Sequence, residues 1–491
     1  MTGSVAVAVA RPPAPQRDVV IQEWSPLVAA VLIASLTLTQ LPQGLTARLS
    51  GLAVLFMLAV VCVARVEIAA GTLLISAFTL DWLADPLGYL PHSYTWLVEG
   101  LILLLCLRAF VGVVRRGSIR AIVALAPFAA LVILGIGAAL ASEQSGIRIA
   151  LGLRAEAKYT LMFAALINLP LRGGFYRRSI ALLLVLIVGQ SAVAAFQFMS
   201  LGQTSGDRIS GTVGSTGATV VLAIMAMSIL AGLIMQYGMR PRYLAGVALV
   251  FLLPVLGEGK AFFLLLPATM LLLFFRSVVR HPLRAVLVAL LSAVVIVTGI
   301  AGFGAVRGNA APLSLVFSDP VAFAGDYAVV RSWAPRLGSI VAAHRRVSTS
   351  ASSAVLGFGT GSRVFTYQEV KRFSSSVLYS SPLATWVHQH GYGGTCLFYM
   401  TLGLLYLYGR SACRTLRDPF WRAIALGFGG MVFVYTAAIP YTDVLADSIA
   451  ATLWFTAAAL VAASTAERRL PTAANAIERH SVPADRAWRT P

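Results

Sequence analysis

Charge is what this sequence has little of. Only 12% of its 491 residues are Asp, Glu, Lys or Arg, against 58% hydrophobic residues, a balance that excludes a water-soluble globule. Acids are scarcer still, at 19 against 38 basic residues, for a net charge of +19. Lysine is almost missing: Lys158, Lys260 and Lys371 are the only ones, and the other basic residues are arginine. The four cysteines (Cys62, Cys106, Cys396, Cys413) have no metal-ligand spacing, and three of them sit in apolar runs. Neither a disulfide framework nor a zinc motif is therefore expected. The N-terminus, with Pro12, Pro13 and Pro15, lacks the charged-then-apolar order of a signal peptide. No internal repeat is visible.

What the sequence does have is apolar runs of membrane-spanning length, recurring from end to end. They predict an all-α polytopic integral membrane protein of about 12–14 transmembrane helices with one large extracytoplasmic loop. The expected spans are 27–41, 49–64, 68–82, 94–114, 121–141, 159–171, 180–199, 218–236, 243–256, 261–275, 285–306, 391–408, 423–439 and 449–463. Residues 1–26 and 465–491 read as disordered cytoplasmic tails, 27–306 as membrane helices 1–11, 307–390 as the large loop, and 391–464 as helices 12–14.

A net charge this high raises the question of nucleic acid, but the cations fall between hydrophobic runs, which makes them a topology signal and excludes that partner. With the N-terminus inside, the inner loops hold Arg115/Arg116/Arg120, Arg172/Arg177/Arg178, Arg240/Arg242, Arg276/Arg280/Arg284 and Arg410/Arg414/Arg417/Arg422. The outer loops 85–93 and 440–447 hold no cation at all. Trp82, Tyr94, Trp96 and Trp421 fall at span ends, where aromatic belts form. Both termini are then expected in the cytoplasm. The exception is the stretch 307–382, placed outside, with Arg307, Arg331, Arg336, Arg345, Arg346, Arg363, Lys371 and Arg372 against Asp319, Asp326 and Glu369. Cations are disfavoured there, so a polyanionic substrate is the expected reason.

Four stretches carry groups suited to chemistry. Asp207-Arg208-Ile209-Ser210-Gly211-Thr212-Val213-Gly214 opens a span, where backbone N–H groups and one Arg suit a phosphate. The plain alternative is a glycine turn with Arg208 among headgroups. Gly257-Glu258-Gly259-Lys260 sits between two spans with almost no loop, and two charges so near hydrocarbon are costly unless paired or functional. Gly357-Phe358-Gly359-Thr360-Gly361 lacks the βαβ context of a dinucleotide fingerprint and reads as a tight turn inside the loop, with Arg363 beside it. His388 and His390 lead into Gly391-x-x-Gly394, where His388 suits a base near neutral pH or a structural role. Two positions apart, the two histidines make a poor metal pair. Glu99, early in its span, is a further buried-carboxylate candidate.

Taken in order, Arg208-x-x-Gly211-Thr212 before a span, Lys260 between two spans, Arg331 and Gly357-x-Gly359 in a long loop, and Gly391-x-x-Gly394 opening the next helix resemble the O-antigen ligase and polymerase superfamily. The resemblance covers roughly residues 208–408. It implies a membrane glycosyltransferase of a bacterial inner membrane that joins undecaprenyl-pyrophosphate-linked glycans at the periplasmic face, with no metal and no nucleotide cofactor. Arg208, Lys260, Arg331, Arg363 and Arg154 would hold the pyrophosphate; His388, Glu258 and Glu99 are the catalytic candidates. The partners implied are the lipid-linked donor, an acceptor glycan, the bilayer and other polysaccharide-assembly proteins. Lys260 stands where the family uses Arg, and the ligase histidine position falls near Ser380, so a polymerase is favoured over a ligase. The alternative from another class is a lipid-linked oligosaccharide flippase or other transporter, although such proteins carry internal repeats.

Overall fold

In a bilayer no water satisfies backbone N–H and C=O groups, so long apolar stretches resolve into helices. The computed structural model describes residues 62, 64–84, 95–117, 119–120, 122–171, 173–201, 209–257, 259, 261–280, 334–362 and 381–480. All that follows belongs to the unit beginning at Arg65. Among the described residues there are thirteen helices and no strand. In chain order these are α1 (Val66–Ala84), α2 (Trp96–Arg116), α3 (Leu125–Ala141), α4 (Gly146–Asn168) and α5 (Gly173–Leu201). They continue as α6 (Thr216–Tyr237), α7 (Pro241–Leu256), α8 (Phe262–Arg280), α9 (Ala334–Val347) and α10 (Ala351–Leu356). The last three are α11 (Pro382–Thr415), α12 (Pro419–Ala438) and α13 (Asp447–His480).

Six of these, α1, α2, α5, α6, α12 and α13, are long and apolar enough to cross a membrane, and α3, α7 and part of α8 are shorter apolar helices. The chain is an all-α, membrane-embedded protein. The expected spans from 68–82 to 261–275 and from 391–408 onward fall on described helices. The spans 27–41 and 285–306 lie outside the described residues, as does nearly all of 49–64. Of the expected loop 307–390, the described parts are helical over α9, α10 and the start of α11.

Burial separates the centre from the rim. About 83% of the α6 span and 78% of the α13 span are buried, against 28% of α2. On α2 the exposed Leu103, Leu107, Phe110 and Val114 recur at helical spacing and form a lipid-facing stripe. Inside, α6 and α12 meet through small residues: a Cβ on Gly427 would lie 2.6 Å from the Ser228 carbonyl oxygen, and one on Gly430 would lie 2.7 Å from the Ser228 hydroxyl. Close backbone approach gains dispersion contacts where lipid offers no hydrophobic driving force. Trp454 of α13 ties α3 and α4 together, its ring 6.2 Å from Phe128 and 5.5 Å from Phe163.

Two ends of the bundle are distinguished by their contacts. At one, Asp447 pairs with Lys158, Ser381 donates to the Pro440 carbonyl at 2.9 Å, Gly217 packs on Thr442, and the Arg336 guanidinium stacks on Tyr441 at 4.6 Å. At the other, Arg116 donates to the Asn168 carbonyl at 2.5 Å and Arg177 pairs with Asp418 at 2.6 Å. The first will be called the glycine end and the second the arginine end.

Candidate functional site

The glycine end is organised by a broken helix. Within α11, Gly391 leaves the helical region (φ 61°, ψ −166°), so the carbonyls of the preceding turn lose their own helical donors. The segment 357–361 supplies replacements: Phe358 N–H donates to the His388 carbonyl at 3.0 Å and Gly359 N–H to the Gln389 carbonyl at 2.7 Å. Such an approach requires glycine on both sides. A Cβ on Gly391 would sit 2.5 Å from the Val355 carbonyl oxygen, and Gly357 and Gly359 have φ of 70° and 87°. Beyond them Thr360 N–H donates to the Gly135 carbonyl at 3.1 Å, and Gly361 lies against the backbone of Arg148. The Gly-x-Gly-x-Gly stretch, expected as a tight turn within the loop, is a turn, and it is wedged among α3, α4 and α11.

The wedge closes over a buried polar cluster. Glu156 of α4 takes a hydrogen bond from His390 Nε2 at 3.0 Å and from the Thr360 hydroxyl at 3.2 Å. The His390 and Glu156 side chains are 1% and 4% exposed. His390 Nδ1 has no hydrogen-bond partner and faces Gly135, where a Cβ would stand only 3.2 Å away. A buried N–H there would be left unsatisfied, which assigns the proton to Nε2 and the lone pair to Nδ1. Trp386 covers the imidazole at 4.9 Å and stacks on Phe398 at 4.2 Å.

Across α4 from this cluster lies a second one. Arg154 Nε donates to Glu99 at 2.7 Å while its guanidinium stacks on Trp96 at 4.2 Å. Lys158, one turn further, is 3.6 Å from the same carboxylate and pairs with Asp447. Asp443, in the turn before α13, reaches the surface with part of its side chain, yet most of its surroundings are protein. That desolvation raises its pKa; the Leu445 N–H pulls it back, Asp447 pushes it up and Lys158 opposes the rise. Residues 146–158, which fall between two expected spans, are helical, and Arg154, Glu156 and Lys158 find partners on α2, α11, α13 and the wedge.

A third feature faces outward. His344 of α9 shares a hydrogen bond through Nδ1 with the Tyr392 hydroxyl, and the Ser348 hydroxyl stands 3.3 Å from the same nitrogen. Both rings are exposed, Tyr392 to 44%. Ala343 and Val347 hold α9 in place against Ala384 and Val387 of α11. His388, by contrast, is 4% exposed and stacks on Phe358 at 4.8 Å.

The loop before α6 departs from its expected role as a backbone anion cradle. Gln197 Oε1 already accepts from the N–H groups of Ser210 at 3.1 Å and Gly211 at 2.9 Å, and Gln190 Oε1 accepts from Thr212 N–H at 2.7 Å. The Thr212 hydroxyl bonds to the Phe78 carbonyl and the Ser215 hydroxyl caps α6. Two glutamines of α5 thus occupy donors that a phosphate would use. The turn between α7 and α8 packs directly on this loop, since a Cβ at Gly257 would stand 2.5 Å from the Ile209 carbonyl oxygen.

Of the residues singled out from sequence, Glu99 and Arg154 are brought together, and His388 lies on α11 beside the wedge. Arg208, Glu258, Lys260, Arg331 and Arg363 lie outside the described residues. Glu156 and His344 with Tyr392 were missed, and His390 was weighed only beside His388 as a poor metal pair. In comparisons with known proteins, no family model matches the chain and no curated protein does.

Proposed function

We propose that this chain is a membrane glycosyltransferase that polymerises, in preference to ligating, polyprenyl-pyrophosphate-linked glycans, with the glycine end as its reacting face on the extracytoplasmic side of a bacterial inner membrane. The observation that carries the reading is the packing of Gly257 on Ile209. Arg208 directly precedes Ile209 and Lys260 follows Gly257 by three positions, so the two cationic stretches that would hold a pyrophosphate are joined at their described neighbours. Because Gln190 and Gln197 occupy the backbone donors of Ser210, Gly211 and Thr212, anion binding there falls chiefly to side chains, where Arg supplies a bidentate fork and Lys a point charge.

In this reading the acceptor hydroxyl oxygen attacks the anomeric carbon, the bond from that carbon to the pyrophosphate oxygen breaks, and the pyrophosphate carrier leaves with the electron pair. The cations stabilise that leaving charge. The hydroxyl proton goes to a base, and His344 fits that part better than His388. Its ring is exposed, and the tautomer with Nδ1–H toward the Tyr392 oxygen leaves the Nε2 lone pair for a substrate hydroxyl. Glu99 serves as the anchor of Arg154 and Lys158. The test is polysaccharide chain length on a gel from cells carrying Arg208→Ala or Lys260→Ala at matched expression. Loss of polymer is expected from each, by analogy with a lost oxyanion donor at about 3 kcal/mol. Full-length polymer from both would sink the reading.

One observation favours a second reading, a proton-coupled transporter of lipid-linked glycans: a discontinuous helix beside a buried Glu156–His390 pair is the kind of site that transporters build. Movement of lipid-linked glycan across vesicles that follows an imposed pH gradient, with chain length unchanged, would select it.

A further inference from the structure

Helix α9 has two exposed flanks of different character. One carries Leu337, Val341 and His344, spaced by four and three positions so that they share an edge, with Leu337 51% and Val341 46% exposed. The other carries the exposed Ala342, Arg345 and Arg346. Between the flanks, Ala343 and Val347 seat the helix on α11. At 14 residues, with arginines in its last turn, α9 is too short and too polar to span a bilayer. An apolar edge opposite a basic one is the pattern of a helix that lies in the plane of a membrane interface.

Both ends of α9 are tied to the level where membrane helices end. Arg336, in its first turn, stacks on Tyr441, which lies between the end of the α12 span at Ala438 and the start of the α13 span at Asp447. His344, in its last turn, bonds Tyr392, the first residue after the break in α11. Span ends lie at headgroup depth, so α9 runs along that level. Tyr392 also indicates what covers the apolar edge. From Tyr392 the exposed residues of α11 continue through Cys396, Met400 and Leu407, at the helical spacing of the lipid-facing stripe on α2. His344 meets the top of that stripe, and Val341 and Leu337 extend it across α9.

We propose that α9 is an interfacial helix seated on the bilayer surface at the glycine end, with Leu337 and Val341 among acyl chains and Ala342 and Arg345 toward water. The placement stands apart from the glycosyl-transfer reading. The full chain, in a background lacking its four cysteines, is spin-labelled at Leu337→Cys, Val341→Cys or Ala342→Cys and reconstituted in phosphatidylethanolamine–phosphatidylglycerol vesicles. The ratio of collisions with oxygen, which concentrates in lipid, to collisions with a water-soluble nickel chelate should be several-fold higher at 337 and 341 than at 342. Should loss of the cysteines impair folding, Leu337→Trp in the otherwise native chain reads the same depth, its added emission being quenched by lipids brominated near the headgroup. Equal nickel access at all three positions, or an unquenched Trp, would place the edge in water and overturn the proposal. Shielding of 337 and 341 from both reagents would overturn it in favour of a protein surface, such as a second copy of this chain.

Discussion

Glu156 and His390, 234 positions apart in the chain, meet at 3.0 Å with almost none of either side chain exposed. Removing one partner strands the other. His390→Ala and Glu156→Ala should each destabilise the protein by about 1–3 kcal/mol, the cost of a buried hydrogen-bonding group left without its partner. Glu156→Gln, which keeps an acceptor for Nε2–H, should cost less than Glu156→Ala. Thermal unfolding of the detergent-solubilised protein measures this, and equal melting temperatures for all three variants would refute the pair's structural weight.

Glycine substitutions along α11 should divide by backbone conformation. At Gly391 the positive φ and the nearby Val355 carbonyl leave no room for a methyl group, so Gly391→Ala should cost about 1–3 kcal/mol or prevent assembly. At Gly403 nothing lies within 4 Å of the added carbon, and Gly403→Ala should be neutral or stabilise by about 0.5–1 kcal/mol. A protease-protection series on the two variants reads the difference; equal behaviour would remove the break from the native fold.

If the glycosyl-transfer reading holds, His344→Ala should lower product formation by about 10²–10⁴-fold, the range of a well-placed general base. Tyr392→Phe should have a smaller effect, because it removes the oxygen that orients the ring and leaves the imidazole in place. His388→Ala should act through folding, visible as a lowered protein level at unchanged activity per molecule. Initial rates with purified donor, normalised to folded protein, separate the three, and an unaffected His344→Ala would move the base elsewhere.

Orientation can be read by cysteine labelling in a background lacking Cys62, Cys106, Cys396 and Cys413. Ser352→Cys, exposed on α10, should react with a membrane-impermeant maleimide added to spheroplasts, and Ser411→Cys, exposed near the arginine end, should react only after permeabilisation. The reverse pattern would place the glycine end in the cytoplasm.

Hydropathy carries no information about partners, and this sets what was legible beforehand. The apolar runs of α1, α2, α5, α6, α12 and α13 announce themselves, since each contains few charges to offset its mean. The first half of α4 does not, because Arg148, Arg154, Glu156 and Lys158 make it read as loop. Its charges are met by Glu99, 55 positions before Arg154, and by Asp447 and His390 far downstream. His344 was hidden for a related reason: it lies in a polar stretch, and only the docking of Ala343 and Val347 on α11 sets it beside Tyr392. For the glycines of 357–361, spacing revealed an unusual backbone and could not reveal that three other helices surround it.

The mutual capping of the broken helix and the wedge also constrains biosynthesis. Ribosomes deliver α3 and α4 first, the wedge some 200 residues later, and α11 only after that. Until Gly391 has emerged, Phe358 and Gly359 have no carbonyls to meet, and Glu156 waits without its imidazole. Closure at the glycine end is therefore a late, post-insertional event, and a nascent chain arrested before residue 390 should hold α4 in a state that a membrane-quality-control protease can recognise.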